Sequence, residues 1–411
     1  MLTPFHVAAL LVVLTTVFAA VNHHLLRLPT TVGLLVMALA ASLATMAVDA
    51  ALPALGIADA VRAQVEAIDF DNTLMDSMLG FLLFAGALTV DLNDLKAQRW
   101  IVALMASLGV VLSTVLVGLG YAWLAGVPVV VALVFGALIS PTDPVAVLGV
   151  LKQVEVPKSL ETKIAGESLF NDGIAVVVFL VLVAVAFPSG GDGPMTAGGV
   201  AVLFLQEAVG GVLFGGLIGW LTYQVLKRTD EYVLEILLTL ALVMGGYALA
   251  HALHVSGPLA MVVAGLFIGN HGVAFGMSAR SARHVRDFWH LIDEILNAVL
   301  FLLIGVEVFA IPFGEQALLP ALAAIPLVLL ARFLAVLLPV GAMRLRRRFT
   351  EGAVAVMTWG GLRGGISVAL ALSLPASEWK PTILTATYVV VLFSILVQGL
   401  TIGPLIRRVV K

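Results

Sequence analysis

The 411-residue chain contains no cysteine and few charged residues. Without cysteine, a disulfide framework and a thiolate metal site are both excluded. Only 11% of the residues are charged, against about 25% in an average soluble domain, whereas 61% are hydrophobic. Motifs for nucleic-acid or cofactor binding are also missing, so we expect neither kind of partner. This composition predicts an all-α polytopic membrane protein, with the lipid bilayer as its surroundings.

Apolar runs long enough to cross a bilayer of about 30 Å follow one another along the whole chain. We count thirteen, so the fold class predicted is a membrane protein of about 13 transmembrane helices. The runs cover residues 5–23, 30–49, 73–91, 100–124, 127–150, 161–187, 198–225, 232–251, 255–273, 288–310, 316–343, 352–374 and 381–405. Residues 50–72, between the second and third runs, show the pattern of a short amphipathic helix at the membrane surface.

Lysine and arginine are distributed unevenly between the loops. The loops after odd-numbered runs hold most of them, whereas the loops after even-numbered runs hold only Arg62 and Lys380. Because basic loops stay in the cytoplasm, the N-terminus is predicted outside and the C-terminus in the cytoplasm. A miscounted run would disturb this alternation. We therefore predict a multi-pass protein of the cell inner (plasma) membrane.

Two runs contain residues that interrupt a helix in mid-membrane. The fifth contains Ser140-Pro141-Thr142-Asp143-Pro144, in which two prolines remove two backbone donors. The twelfth contains Trp359-Gly360-Gly361-Leu362-Arg363-Gly364-Gly365, with four glycines around one arginine. Broken backbone at this depth is tolerated only where it is buried in protein or lines a cavity. A simple kink would explain one such site better than two.

The positions of the breaks indicate an inverted repeat. If runs 1 to 6 and 8 to 13 form two halves joined by run 7, the broken helix is the fifth in each half. An offset of seven runs inverts the second six-helix repeat relative to the first. Paired breaks of this kind indicate a transporter site near the membrane midplane. Asp143 and Arg363 are the side chains expected to compensate the charge of the broken helix ends.

The sixth run carries a polar face at bilayer depth. Helical spacing places Glu167 next to Asn171 and Ser168 next to Asp172. An ionised carboxylate persists there only beside a partner, a cavity or a transported ion. Arg332, in the eleventh run, is the partner we predict for Glu167. The acids point about 140° apart, so this pair leaves Asp172 free. The alternatives are a packing pair for the two acids and a snorkelling side chain for Arg332.

These motifs resemble those of a known transporter family. The stretches concerned are Pro141-Thr142-Asp143-Pro144, Glu167-Ser168-Leu169-Phe170-Asn171-Asp172-Gly173, Arg332, Gly361-Leu362-Arg363-Gly364, and Leu296-Asn297 with Phe301-Leu302-Leu303-Ile304-Gly305. In this order they are similar to the cation:proton antiporter-1 family, which comprises the NhaP and Na+/H+ exchanger group. The resemblance extends from about residue 8 to about residue 405.

The resemblance implies an NhaA-like antiporter fold with discontinuous helices 5 and 12, and a homodimer. Residues 1–411 would form a single transmembrane domain, with a core bundle at about 100–187 and 316–405. A dimerisation or scaffold part would occupy about 5–91 and 198–310. The resemblance also implies that Asp172 is the shared proton and cation site, with Thr142 and Ser168 contributing oxygens to Na+. Asn171 beside Asp172 is typical of the family's electroneutral exchangers.

The expected function is secondary active Na+ (or Li+)/H+ antiport with alternating access, in the service of pH homeostasis. One carboxylate holds a proton or a cation but not both, so competition couples the two fluxes one for one. K+/H+ antiport is the alternative, because oxygen ligands alone do not exclude K+. Ala85 stands where the family often has an acid, which leaves the choice of ion open.

Two other classes of membrane protein were weighed. An intramembrane aspartyl protease could use Asp143 and Asp172 as a dyad, but the sequence lacks a Gly-x-Gly-Asp arrangement and carries two arginines within the membrane. A channel with a carbonyl filter would need a glycine-rich filter loop, which we do not find. We therefore expect a transporter and not an enzyme.

Overall fold

A computed structural model describes residues 4–52, 56, 78–144, 147–148, 151, 156–188, 196–309, 311, 315–344 and 350–410. Within these ranges the helices form thirteen successive segments, one for each predicted run. Segments α1 to α6 are Pro4–Val21, Thr30–Ala51, Leu79–Thr89, Leu92–Ala125, Val129–Leu138 and Lys158–Ala186. Segments α7 to α11 are Ala197–Leu226, Tyr232–Ala252, Gly257–Phe275, Ala279–Val306 and Glu315–Arg344. The twelfth has two halves, α12a at Ala353–Trp359 and α12b at Gly365–Leu372, and α13 is Lys380–Val409.

Nine of the helices in the described ranges are long and apolar enough to cross a membrane by themselves. The other four segments depart from that pattern for identifiable reasons. Helices α3 and α5 are apolar but short, and α12 is broken after Trp359. Helix α10 carries a polar face with His290, Asp293 and Glu294. The amphipathic segment predicted at 50–72 lies mostly outside the described residues.

Two helices begin well before the apolar runs that predicted them. Helix α4 starts at Leu92 instead of residue 100, because the Asp91 carboxylate accepts hydrogen bonds from the amides of Asn93 (2.7 Å) and Asp94 (3.4 Å). Helix α10 starts at Ala279 instead of residue 288, where the Ser278 hydroxyl accepts from the Ser281 amide. Side-chain caps therefore extend both helices into polar sequence that hydropathy alone assigns to loops.

The two broken helices meet in the middle of the molecule. The Asp143 amide donates a 2.8 Å hydrogen bond to the Leu362 carbonyl, and the two breaks run antiparallel at this point. Antiparallel pairing is the arrangement expected of two inverted halves. Helices α4, α6 and α11 to α13 pack around the crossing, and α6 also contacts α7 and α9 on its other side. The crossing is thus enclosed by helices from both ends of the chain.

Candidate ion-binding site

The C-terminal end of α5 is capped by an arginine from the other half of the chain. Pro141 and Pro144 have no amide hydrogen, so the break leaves backbone carbonyls without helical donors. The Arg363 guanidinium donates through Nη1 to the carbonyls of Ser140 (2.6 Å) and Pro141 (2.9 Å). Arg363 is only 2% exposed. A buried cation therefore faces the negative end of α5, as the helix dipole favours.

The N-terminal end of α12b faces a carboxylate in return. A Cβ atom added at Gly364 would lie 2.7 Å from Oδ2 of Asp143, which places this side chain against the first turn of α12b. An anion at a helix N-terminus is favoured by the unpaired amides and by the dipole. The structure thus brings Asp143 and Arg363 to the two helix ends whose charge they were predicted to compensate.

The polar face of α6 braces the first break. The Asn171 side-chain amide donates to Oγ1 of Thr142 at 2.8 Å, and its oxygen accepts from the Thr142 amide at 3.4 Å. The hydroxyls of Thr142 and Ser168 are 3.0 Å apart. All three residues are at most 3% exposed. Thr142, Ser168 and Asn171 therefore form one hydrogen-bonded group, as the sequence suggested for a common site.

Asp172 differs from its polar neighbours because one of its carboxylate oxygens has no hydrogen-bond partner among the described residues. The side chain is 6% exposed, and Oδ1 is buried with no hydrogen-bond partner among the described residues. A buried carboxylate oxygen in this condition is costly unless a proton or a cation occupies it. The Asp172 carboxylate is therefore the group at the crossing that is suited to bind a proton or a cation.

A cavity of about 430 Å³ reaches the unpaired carboxylate. Thr142, Asp143 and Asp172 line one part of it, whereas Ser168 and Asn171 are not among the lining residues. Residues of α3 and α10 also line it, including Leu82, Thr89, Arg286, His290, Asp293, Glu294 and Asn297. The cavity connects Asp172 with the polar first half of α10. The site residues predicted from the sequence do not include these α10 acids, although acids within an apolar run were an available signal.

Ala85 lies off this cavity. The side chain is 2% exposed and does not belong to the lining, whereas its neighbour Gly86 does. The missing family acid therefore leaves no gap in the cavity wall. Besides Asp143 and Asp172, the acids that line it come from α10, where Asp293 is held by the Asn297 side chain at 3.0 Å.

Glu167 and Arg332 form a two-pronged ion pair beside the crossing. Nη1 of Arg332 bonds Oε1 of Glu167, and Nη2 bonds Oε2 at 3.0 Å. Nε and Nη2 also donate to the Met357 carbonyl, at 3.1 and 2.8 Å. The exposures are 2% for Glu167 and 7% for Arg332. The pair ties α6 to α11 and α12a, uses both oxygens of Glu167, and leaves Asp172 as the available carboxylate.

Two further residues at the crossing were missed by sequence reasoning. Ser394 and Gln398 of α13 are buried and hydrogen-bond the backbone on both sides of the second break. Their signal in the sequence was a pair of polar residues four apart in the apolar run 381–405. Neutral side chains carry a small burial cost, and such a pair therefore attracts less notice than an acid or an arginine.

Comparisons with known proteins agree with this architecture. The family described as "Sodium/hydrogen exchanger, transmembrane" matches residues 10–408. The Na(+)/H(+) antiporter NhaP of Pseudomonas aeruginosa is 47% identical, over 98% of this chain and 96% of its own. The Na(+)/H(+) antiporter NhaH of Halobacillus aidingensis is 35% identical, over 97% and 96%.

A solved structure shows the same fold. The sodium proton antiporter MjNhaP1 from Methanocaldococcus jannaschii at pH 8 superposes with a TM-score of 0.77. Its sequence is 21% identical, and the match covers 99% of this chain and 98% of that one. With the family match over almost its whole length, this chain belongs to the sodium/hydrogen exchanger family.

Proposed function

We propose that this protein is a secondary active Na+/H+ antiporter that also accepts Li+ and in which Asp172 is the shared ion and proton site. The observation that carries the proposal is the buried, unpaired Oδ1 of Asp172 beside the 430 Å³ cavity. The related proteins of P. aeruginosa and H. aidingensis are Na(+)/H(+) antiporters by name. Their similarity over nearly the full length supports the same exchange here.

Na+ would bind Asp172 with oxygens from Thr142 and Ser168. Small hard cations prefer oxygen ligands, and the hydroxyls of these two residues lie within 3.0 Å of each other. Asn171 holds Thr142 through two hydrogen bonds and thereby positions that oxygen. Asn171 carries no charge, so Asp172 is the one acid of this group, and each turnover exchanges one Na+ for one H+.

Competition at one carboxylate is sufficient to couple the two fluxes. When Asp172 holds Na+ or H+, the site is neutral, and the conformational change that carries it between the two sides of the membrane has a low electrostatic cost. When Asp172 is a bare anion, the cost of an uncompensated charge at bilayer depth holds it back. Glu167 takes no part in binding, because Arg332 occupies both of its oxygens. Asp143 and Arg363 keep the helix ends at the site compensated.

Alternating access requires two parts that move against each other. We assign the core bundle to about 100–187 and 316–405, and the dimerisation or scaffold part to about 5–91 and 198–310. The cavity supports this division because its lining comes from both parts: α6, α12b and the break after α5 belong to the core bundle, and α3 and α10 to the scaffold part. The active unit would be a homodimer in the plasma membrane.

The proposed orientation has the N-terminus outside and the C-terminus in the cytoplasm. It rests on the basic loops after odd-numbered helices. In this orientation the start of α10 faces the cytoplasm, and the cavity extends from Asp172 to Arg286 near that start.

Cation-induced proton movement in proteoliposomes tests the proposal. We expect Na+ and Li+, but not K+, to dissipate an imposed proton gradient, with no net charge transfer. Asp172→Asn should reduce exchange to background while the protein remains folded. Asp230→Asn removes an exposed carboxylate between α7 and α8 and should exchange like the wild type. Exchange by Asp172→Asn would exclude the single-carboxylate site, and a K+-driven signal equal to that of Na+ would show that K+ is also a substrate.

A further inference from the structure

The break in α12 separates two backbone groups that an unbroken helix would join. In a continuous α-helix the amide of Arg363 would donate to the carbonyl of Trp359, four residues earlier. Here α12a ends at Trp359 and α12b begins at Gly365, so this bond is not made. Arg363 is buried and Trp359 is half-buried, and an unpaired backbone amide or carbonyl away from water costs as much as a lost hydrogen bond.

Two side chains of α13 take over the missing bond. The Arg363 amide donates to Oγ of Ser394 at 2.8 Å, and that hydroxyl donates to Oε1 of Gln398 at 2.7 Å. Nε2 of Gln398 then donates to the Trp359 carbonyl at 2.9 Å. Three hydrogen bonds in series thus link the two groups that the break separates. Ser394 is 0% and Gln398 3% exposed, so water does not substitute for them.

The backbone of α13 is altered at this place. Residues Ser394–Gln398 form a π-helical turn, and the Gly399 amide donates to the Ser394 carbonyl five residues earlier. Single π-turns inside α-helices occur frequently at functional sites. Here the wider turn contains both residues of the series, which indicates that α13 is shaped around the break.

We propose that Ser394 and Gln398 are positioning residues that hold the second break in the geometry required for ion binding. They fix the backbone of Arg363, whose guanidinium in turn caps the carbonyls of Ser140 and Pro141. Pro141 immediately precedes Thr142, the predicted ion ligand. The series therefore acts on the ion site from the opposite half of the chain, without touching the ion. The inference rests on the proposed exchange for its functional readout.

The first break supports this role because it is braced in a corresponding way. Asn171, on the helix that follows the first break, bonds both the amide and the hydroxyl of Thr142. Ser394 and Gln398 lie on the helix that follows the second break. A hydroxyl and a side-chain amide are thus used on each following helix, Ser168 with Asn171 and Ser394 with Gln398.

Four variants test the inference in the proteoliposome assay: Ser394→Ala, Gln398→Met, the double variant, and Thr401→Val. The last is a matched control, because Thr401 accepts a 2.8 Å hydrogen bond from the Trp359 indole, one turn along the same helix. Ser394→Ala and Gln398→Met each remove two of the three bonds, and we expect each to raise the apparent KM for Na+ by about tenfold. Thr401→Val should leave KM unchanged.

The double variant shows whether the two side chains act through one connected series of hydrogen bonds or through two independent contacts. Because the bonds share Ser394 Oγ and the Gln398 side chain, the combined rise in KM should be smaller than the product of the two single effects. A KM equal to that of the wild type in both single variants would overturn the inference. So would a double variant whose effect equals the product.

Amide hydrogen exchange of the wild-type protein provides a readout that does not depend on the variants' folding. The series predicts strong protection of the Arg363 amide despite its position in a break. Fast exchange at Arg363 would overturn the inference. If the wild type and Thr401→Val showed no Na+/H+ exchange, the proposed function would fail, and the protection of Arg363 would still show whether the hydrogen-bonded series forms.

Discussion

The two broken helices have the same kind of support but different chemistry. Each break is braced by a hydroxyl and a side-chain amide from the helix that follows, α6 for the first break and α13 for the second. Helix α6 also carries Glu167 and Asp172, whereas Lys380–Val409 contains no acid. Both breaks border the same cavity, the first through residues 141–144 and the second through Gly364 and Gly365. One carboxylate with an unpaired oxygen therefore distinguishes the candidate site from its counterpart.

The comparison also separates stability from function among the charged groups. Arg332 bonds both oxygens of Glu167 and the Met357 carbonyl, so the contribution of this pair lies in the fold. Asp172 keeps an oxygen without a partner, a condition that stability alone would not favour. The following variants test this separation, from the largest expected effect to the smallest.

Arg332→Ala should have the largest effect on stability. Removing the guanidinium leaves Glu167 as a buried, unpaired charge and the Met357 carbonyl without its donors. The expected loss is about 3–5 kcal/mol in the free energy of unfolding, measured by thermal unfolding in detergent. Combining Arg332→Leu with Glu167→Leu removes both charges and should recover part of the loss. An unfolding temperature for Arg332→Ala equal to that of the wild type would show that the pair is not structural.

Gly361→Ala should come next, through a steric effect at the second break. A Cβ at this position would collide with the Arg332 guanidinium, so the ion pair must shift, at about 1–3 kcal/mol. Gly341→Ala on α11 is the matched control, because nothing lies within 4 Å of its added Cβ. The same unfolding experiment compares the two. Equal stability of both variants would mean that Arg332 relaxes without cost.

Thr142→Val should affect ion binding more than stability. The change keeps the shape of the side chain but removes the hydroxyl that Asn171 and Ser168 contact. We expect the apparent KM for Na+ to rise about tenfold, which corresponds to about 1.4 kcal/mol. Thr114→Val is the control, since the Thr114 hydroxyl is buried without a partner among the described residues. A larger change in KM for Thr114→Val than for Thr142→Val would contradict the assigned ligand.

Glu294→Gln should have the smallest effect. Glu294 is an exposed side chain on the wall of the cavity, where its charge attracts cations without binding them closely. We expect about a twofold lower rate of exchange at subsaturating Na+ and low ionic strength. The difference should vanish when a non-transported salt shortens the Debye length to about 3 Å at 1 M. A rate difference that persists at high salt would indicate direct coordination.

Sequence reasoning succeeded where one residue type restricts the backbone or costs much to bury. Pro141 and Pro144 cannot continue a helix, and they predicted the break after α5. The cost of a buried guanidinium predicted a carboxylate partner for Arg332, and the structure pairs it with Glu167. The family and the helical fold, including the thirteen segments, are confirmed. The roles of Asp172, Ser168 and Thr142 in ion binding stay predictions.

The parts of the site that the sequence did not predict depend on tertiary contacts, which a single sequence indicates only weakly. Gln398 has a defined role only because the Trp359 carbonyl of another helix lies 2.9 Å away. Asp293 and Glu294 lie within the predicted run 288–310, but nothing in one sequence shows which other helices they face. Only the tertiary packing places them on the same cavity as Asp172.

The hydrogen bond between the Asp143 amide and the Leu362 carbonyl joins the two halves of the chain through main-chain atoms alone. Side-chain substitutions leave such a bond's donor and acceptor in place, unless proline removes the amide. Most mutations that alter side chains at the crossing therefore leave this main-chain bond between the two breaks intact. Related exchangers could change their ligands, and with them the ion they select, while inheriting the same meeting point of the two breaks.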